Sequence, residues 1–277
     1  MMGRRNVLAL AGTAGSTLLA GCLNGVPVVG ITREDLPEWP DEPTESAVTS
    51  YAARYRVVEV HNRTVDRSSE RYYRELSHGV DGAFEAETTA GFVIMTSGGG
   101  GSKSRRGVSR NDLVGEIMLP PEALLASENE VIQAPVDHRW EDLDDPSDPP
   151  FSTRGLSFVN FSSEDRRIDV SIESPEDSDD APLFAETFEL KAEHGRTELE
   201  VVDGPGEYEV GVSVGDDDAV YQWSVSDEPR ELTDPYVGGT RDVGLGIYVL
   251  PDGTVEIHEV PEERTTERER IRQESLV

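Results

Sequence analysis

The chain has 277 residues, which is enough for roughly two domains of ordinary size. It contains 56 acidic and 25 basic residues, and its formal net charge is −31. Because nucleic-acid phosphates are bound by basic surfaces, this balance argues against a nucleic-acid partner. The single cysteine excludes an intramolecular disulfide framework and any metal site built from several cysteines.

The basic residues are almost all arginines, since only Lys103 and Lys191 are lysines. An acidic, lysine-poor surface suits concentrated salt, because at about 1 M salt a Debye length of about 3 Å screens the repulsion between carboxylates. At low salt the same charge opposes the compact state. We therefore expect a halophilic protein. Intrinsic disorder is the alternative that high net charge suggests, and long stretches of alternating apolar residues argue against it.

Residues 1–21 are predicted to be an export signal. Arg4 and Arg5 precede an apolar run over residues 7–20, which is shorter than the about 20 residues that span a bilayer. The paired arginines, followed by Asn6 and apolar residues, resemble a twin-arginine signal. This resemblance implies that the protein is exported in the folded state.

The apolar run ends in Leu19, Ala20, Gly21 and Cys22, which resembles a lipoprotein box. In such a box the cysteine takes the lipid and becomes the first residue of the mature chain. Together with the acidic, lysine-poor composition, residues 1–22 resemble the exported lipoproteins of halophilic archaea. The resemblance implies a protein held at the outer face of the cytoplasmic membrane by a lipid anchor at Cys22.

The segment after the signal is predicted to be a tether. Residues 22–43 comprise the lipidated cysteine and a stretch rich in proline and acidic residues, which keeps a chain extended and solvated. A helix is predicted over residues 44–67, because apolar side chains recur there at helical spacing and Thr44 is a suitable N-cap. Arg54 and Arg56 lie off the apolar stripe and are expected to be solvated.

Residues 44–140 are predicted to form a small α+β module, in which this helix is followed by antiparallel strands. Candidate strands cover residues 83–88, 91–96, 113–119 and 131–136. Four consecutive glycines at 98–101 favour a flexible loop between strands. They do not match a phosphate-binding loop, which needs a lysine directly after its last glycine.

An acidic, proline-rich linker is predicted over residues 141–150, and a β-sandwich over residues 151–260. Apolar residues there alternate with polar ones in about eight short segments separated by turn sequences, as in Ile168, Val170 and Ile172. This stretch resembles the immunoglobulin-like domains of archaeal and bacterial surfaces. The fold class is therefore expected to be mainly β. Residues 261–277 are predicted to be a charged tail, either disordered or loosely helical.

No motif for catalysis emerges. Residues 211–215 match the G-x-S-x-G pattern, but the alternating valines continue a strand and place Ser213 on its polar face, whereas a nucleophile elbow turns into a helix. The histidines are expected at the surface. We expect no catalytic residues, no metal and no cofactor. A pair of catalytic carboxylates that meets only in the folded structure cannot be recognised from the sequence. Asn62 and Asn160 begin glycosylation sequons and are candidate modification sites.

The sequence favours a lipid-anchored cell-surface protein of halophilic type with a non-enzymatic binding or accessory role. Its expected partners are the membrane, through Cys22, and a protein at the cell surface. Two alternatives are a cell-surface hydrolase that uses carboxylates and a solute-binding lipoprotein of a transporter. The second usually needs two α/β lobes, and this chain has one good helix.

Overall fold

A computed structural model describes residues 31–66, 72–105, 113–138, 154–174, 182–202, 204–226, 243–261 and 265–274. Within these residues the chain is mainly β, as predicted, with one helix and thirteen strands. The helix is α1 (Glu45–Asp66). The strands are β1 (Tyr72–Thr88), β2 (Gly91–Arg105), β3 (Leu113–Ala126), β4 (Val131–His138), β5 (Arg154–Asn160), β6 (Arg166–Glu173), β7 (Phe184–Leu190), β8 (His194–Val202), β9 (Gly206–Val214), β10 (Asp217–Val225), β11 (Val243–Val249), β12 (Val255–Glu259) and β13 (Thr266–Glu274).

The strands form two sheets. The larger has nine strands in the order β12-β11-β5-β8-β4-β3-β2-β1-β13, and the smaller has four in the order β10-β9-β6-β7. Strands β5 to β12 are the eight strands expected of the β-sandwich. Its two sheets bury a shared apolar core that includes Phe158, Ile168, Val210, Trp223 and Ile247. Alternate residues along β6 and β9 are buried, which explains why apolar and polar residues alternate in their sequences.

Helix α1 packs on one face of the sheet formed by β13, β1, β2 and β3. Val48 and Ala52 contact Phe84 and Ile94, and further along the helix Val57 lies in the same cluster as Val80. The helix begins where the sequence predicts, since the N–H of Ala47 donates to Thr44 Oγ1 over 3.3 Å. No helix in the described part of the chain is both long and apolar enough to cross a bilayer.

The module and the sandwich share one sheet and one core. Strand β4 of the module pairs in parallel with β8 of the sandwich, from Val136 opposite Gly195 to His138 opposite Thr197. At this junction an apolar cluster joins Val93 and Leu125 of the module to Phe161, Tyr248 and Leu250 of the sandwich. The predicted linker 141–150 lies outside the described residues.

The glycine run is part of a strand, so the expectation of a flexible loop is wrong. Residues 98–101 lie in β2 and pair with β1 on one side and β3 on the other. A Cβ atom at Gly98 would lie 2.1 Å from the Gly79 carbonyl oxygen, and one at Gly100 would lie 2.1 Å from the Ser77 carbonyl oxygen. Glycine is therefore required at these two positions because neighbouring backbone comes too close for any side chain.

The charged C-terminal segment is also a strand, so the expectation of a disordered or helical tail is wrong for residues 266–274. Strand β13 pairs antiparallel with β1 and forms one edge of the large sheet. Ile271 is buried against α1, and Arg268 and Arg272 form ion pairs with Asp81 and Glu75 across the strand pair. Its charged side chains also protect an exposed sheet edge from pairing with other chains.

The structure differs from the predicted tether over residues 31–40. This stretch has no helix or strand, yet it lies against the folded body. Its residues 31–36, here called the arm, bond to both α1 and β13, as the N–H of Thr32 does to Gln273. Further on, the ring of Trp39 packs against Tyr51 and Phe92 with centroids 5.0 and 6.3 Å apart. The proline-rich composition predicts an extended segment, but it does not predict which residues bind that segment.

Candidate functional site

The predicted export and anchoring residues lie outside the described residues. These are Arg4, Arg5, Leu19, Ala20, Gly21 and Cys22. Their roles therefore stay predictions of the sequence.

The two sequon asparagines are buried and hydrogen-bonded. Asn62 donates from Nδ2 to the Glu34 carbonyl oxygen and accepts at Oδ1 from the Glu34 N–H, both over 2.8 Å. Asn160 donates to the carbonyl oxygens of Glu164 and Lys191 over 2.8 and 3.0 Å. A glycan on either nitrogen would require these bonds to break, so the folded protein disfavours modification at both positions.

A buried charge network holds α1 on the sheet. Arg56 was expected in solvent, but its side chain is only 4% exposed and its guanidinium lies 2.5 Å from Glu122 and 2.8 Å from Glu59. The expectation was wrong because the helix buries more of its circumference than its apolar stripe indicates. Burial raises the pKa of the Glu122 carboxyl, and the Arg56 charge opposes that rise.

Two histidines meet in the interface between α1 and the sheet, contrary to the expected surface positions. The rings of His61 and His78 lie edge to face with centroids 5.7 Å apart, and their exposed fractions are 0% and 1%. His61 Nε2 bonds to the Thr32 carbonyl oxygen over 2.9 Å. Neither ring nitrogen of His78 has a hydrogen-bond partner among the described residues. Burial, followed by the charge of His61, lowers the pKa of His78 from 6.5 to about 4.

An open cleft of about 640 Å³ lies above this network, between the arm and the C-terminal half of α1. Its charged walls are largely paired with one another: Arg33 lies 3.3 Å from Asp66, and Arg63 contacts Glu59. The lining residues are Arg33, Glu34, Asp35, Leu36, Glu59, Asn62, Arg63 and Asp66. Paired charges hold the arm to the helix and leave little uncompensated charge for a ligand.

A second polar cluster lies where the module meets the sandwich. The buried Tyr248 hydroxyl donates to Glu85 over 3.2 Å, and the Tyr248 ring lies 6.0 Å from that of His258. His258 bonds to Glu256 over 2.8 Å, and Glu256 also accepts from Thr89. These contacts cross between the two modules, so the cluster joins them.

The remaining motifs are accounted for by the fold. Ser213 lies in β9, as predicted, and its hydroxyl donates to Asp218 over 2.6 Å across the turn to β10. Within the described ranges, no three histidine or acidic side chains come together in a way that would hold a metal ion.

The sandwich has a counterpart among known families. Residues 164–265 match the family model of the halobacterial Ig-like domain. The match covers a little over a third of the chain and includes β6 to β12, whereas β5 and the whole module precede it. No curated protein sequence matches the chain. The match supports the expected halophilic, immunoglobulin-like character of the sandwich.

The buried charge network, the histidine pair, the Tyr248 cluster and the arm thus all lie between elements and hold them together. Sequence reasoning missed Arg56, His61 and His78 because single polar residues in an amphipathic pattern carry no signal of burial. The strands of the sandwich, by contrast, were predicted from their alternating apolar residues.

Proposed function

We propose that this chain is an exported, lipid-anchored surface protein that presents a halobacterial Ig-like domain for binding to a protein partner. The observation that carries the proposal is the match at residues 164–265, taken with the lipoprotein box that ends at Cys22. Anchoring by lipid requires two or more acyl chains to be stable. The protein would act as a binding or accessory component at the outer face of the cytoplasmic membrane.

The sandwich supports a binding role through its surface. Val220 on β10 and Leu183 beside β7 are exposed by 66% and 50%. Both strands are edges of the four-stranded sheet, and an exposed edge offers unpaired backbone groups to a partner. An apolar side chain beside such an edge adds contact area to that pairing.

The buried carboxylates favour a structural reading over a hydrolytic one. Glu122 lies against Arg56, and Glu85 accepts from Tyr248. Both are within the body of the protein, at 7% and 1% exposure, where a substrate has no access. We therefore propose a structural role for these two carboxylates.

The anchor is tested by comparing the wild-type chain with Cys22→Ser in a halophilic host, with Ser16→Ala as a matched control in the same segment. We expect the wild type and the control in the membrane fraction with lipid on Cys22, and Cys22→Ser without lipid and with its apolar run still attached. A wild-type chain without lipid on Cys22 would contradict the anchor. Cytoplasmic location of the wild type would contradict export.

The binding role is tested by cross-linking intact cells in high salt, with a photoreactive residue at Val220 and, as control, at Met118 on the module. Met118 is 79% exposed, so both positions are accessible. We expect one reproducible surface protein joined to position 220 and absent at position 118. Equal labelling at both positions, or turnover of a polymer substrate by the purified protein, would contradict the proposal.

A further inference from the structure

The arm is held by hydrogen bonds to two different elements, α1 and β13. The N–H of Thr32 donates to Gln273 Oε1 on β13 over 2.9 Å, and its carbonyl oxygen accepts from His61 on α1. Glu34 exchanges two backbone bonds with the Asn62 side chain and accepts from Gln273 Nε2 over 2.6 Å. The chain is therefore fixed to the folded body from about residue 32 onwards.

This fixed point limits the distance between the body and an anchor at Cys22. Only nine peptide units separate Cys22 from residue 31, and a fully extended chain covers at most about 3.6 Å per residue, or about 32 Å in all. A free tether through residue 43, as the composition suggests, would reach about 75 Å on the same basis. Docking of the arm thus removes more than half of the reach.

The docking point lies at one edge of the molecule. The arm contacts β13, and β13 and β12 are the opposite edges of the nine-stranded sheet. Gln273 pairs with Leu76 near the start of β1, whereas Glu256 of β12 accepts from Thr89 just past the end of β1, so the arm and β12 lie roughly 40 Å apart along that strand. The matched Ig-like domain includes β12, so it lies toward the end of β1 that is farther from the arm.

The charge distribution favours the same orientation. We define the β13 edge as residues 31–36, 54–66 and 266–274. Besides the buried Arg56 it contains six arginines and seven acidic residues, so its surface is close to neutral in a chain with a net charge of −31. An acidic surface is repelled by anionic lipid head groups, whereas a neutral one with exposed arginines, such as Arg33 and Arg272, is not.

We propose that the β13 edge is the membrane-facing surface of this protein, held within about 32 Å of the anchor, and that the Ig-like domain points away from the lipid. This inference rests on the proposed lipid anchor. The fold itself sets this orientation. The arm leads to the anchor, and it is bonded to the same β13 edge that we propose to face the membrane.

The test is energy transfer from a dye on the protein to an acceptor lipid, in vesicles that carry the exported, lipidated chain. Since lipid consumes the single native thiol, Arg270→Cys on β13 and Glu259→Cys on β12 each provide a unique labelling position. Both side chains are exposed and lie on opposite edges of the sheet. We expect transfer from position 270 to be the more efficient of the two, because Arg270 pairs with Gly79 toward the arm's end of β1, whereas β12 lies at the other end of β1.

A released arm provides the matched comparison. Asn62→Ala with Gln273→Ala removes the side chains that hold Glu34, and circular dichroism verifies that the variant is folded. We expect transfer from position 270 to fall toward that from position 259, because the reach then lengthens. Equal transfer from both positions in a chain with lipid on Cys22 would overturn the orientation and leave the anchor intact. A chain without lipid and without transfer would overturn the anchor, and the orientation with it.

Discussion

At the residue scale, the buried ion pair between Arg56 and Glu122 decides how firmly α1 is held. A guanidinium in an apolar interface is tolerated because two carboxylates, Glu122 and Glu59, accept its hydrogen bonds. Removing one partner leaves the other charge buried without compensation, which costs more than the pair contributes. The network therefore specifies the position of the helix on the sheet more than it adds to stability.

We expect Arg56→Met to lower the free energy of unfolding by about 3–5 kcal/mol, because the Glu122 carboxyl is left unpaired. Arg54→Met is the control, since Arg54 is half-buried and lies 3.5 Å from Glu34; we expect a loss below about 1 kcal/mol. Denaturant unfolding in high salt measures both. Adding Glu122→Leu to Arg56→Met should recover most of the loss, and a further decrease would contradict the explanation.

The pair of His61 and His78 predicts a pH dependence of stability. The pKa of His78 is about 4 in the folded chain and 6.5 when unfolded, so below pH 6.5 the unfolded chain binds a proton that the folded chain does not. The contribution of His78 to the free energy of unfolding is constant above pH 6.5. It falls by up to about 3 kcal/mol as the pH is lowered from 6.5 to 4.

Unfolding of wild type and His78→Leu across pH 4 to 8 tests this expectation. The difference between the two free energies should be constant above pH 6.5 and shift in favour of the variant as the pH falls. Parallel curves down to pH 4 would show that His78 does not titrate in the way its burial implies.

At the element scale, the glycine run lets β2 continue as a long strand where the backbone of β1 comes close. Gly98 and Gly100 lie where the backbone of β1 approaches closely, and Gly99 and Gly101 alternate with them on the opposite face of the sheet. Loss of side chains weakens a strand by itself. In this sheet the weakness is offset by pairing on both sides, with β1 and with β3.

Gly100→Ala and Gly101→Ala separate these two effects. The new Cβ at position 100 would lie 2.1 Å from a backbone oxygen, whereas at position 101 the nearest atom is 3.8 Å away. We expect Gly100→Ala to destabilise the protein by about 2–4 kcal/mol. Gly101→Ala should change stability by less than about 1 kcal/mol, in the stabilising direction. Thermal unfolding compares the two, and equal losses would mean that the close approach is absent.

At the scale of the whole molecule, the shared sheet and core join the module and the sandwich into one unit. The parallel pair β4–β8 continues the hydrogen bonds across the junction, and Phe161, Tyr248 and Leu250 pack in the apolar cluster that joins the two parts. Domains joined only by a linker unfold independently, whereas a common core makes their unfolding cooperative.

Two single-tryptophan variants can measure this coupling. Trp39 packs in the module and Trp223 in the core of the sandwich, so replacing the other two of the three tryptophans with phenylalanine leaves one reporter in each part. We expect the two fluorescence transitions in denaturant to coincide. Leu250→Ala, which opens the shared core, should shift both midpoints together; transitions that separate in the wild-type background would contradict cooperative unfolding.

The net charge of −31 predicts that the fold depends on salt. We expect the circular dichroism of the folded protein to be lost as salt falls from molar concentration toward about 0.1 M, where screening weakens and acts only beyond about 10 Å. If screening is the cause, a salt of a different cation at the same ionic strength should give the same midpoint of the transition. A signal that does not change over this range would contradict the halophilic assignment.

Much of the fold was predictable because its causes are local. Thr44 caps α1 through a bond within one turn, and the alternation of Ile168, Val170 and Ile172 follows from one face of β6 being buried. The buried site residues were not predictable in the same way. Nothing near Arg56 or His78 in the chain indicates that Glu122 and His61 will lie opposite them, since these contacts join distant segments.

The sequence by itself determined the acidic composition, the helix and the alternating strands of the sandwich, because charge and hydrophobic period are properties of neighbouring residues. Only the tertiary structure decided that the glycine run is a strand, that the charged segment 266–274 closes the sheet and that the arm is docked. Each of these depends on a partner far away in the chain. A segment without apolar alternation becomes a strand or a docked arm only when the rest of the fold supplies its hydrogen bonds.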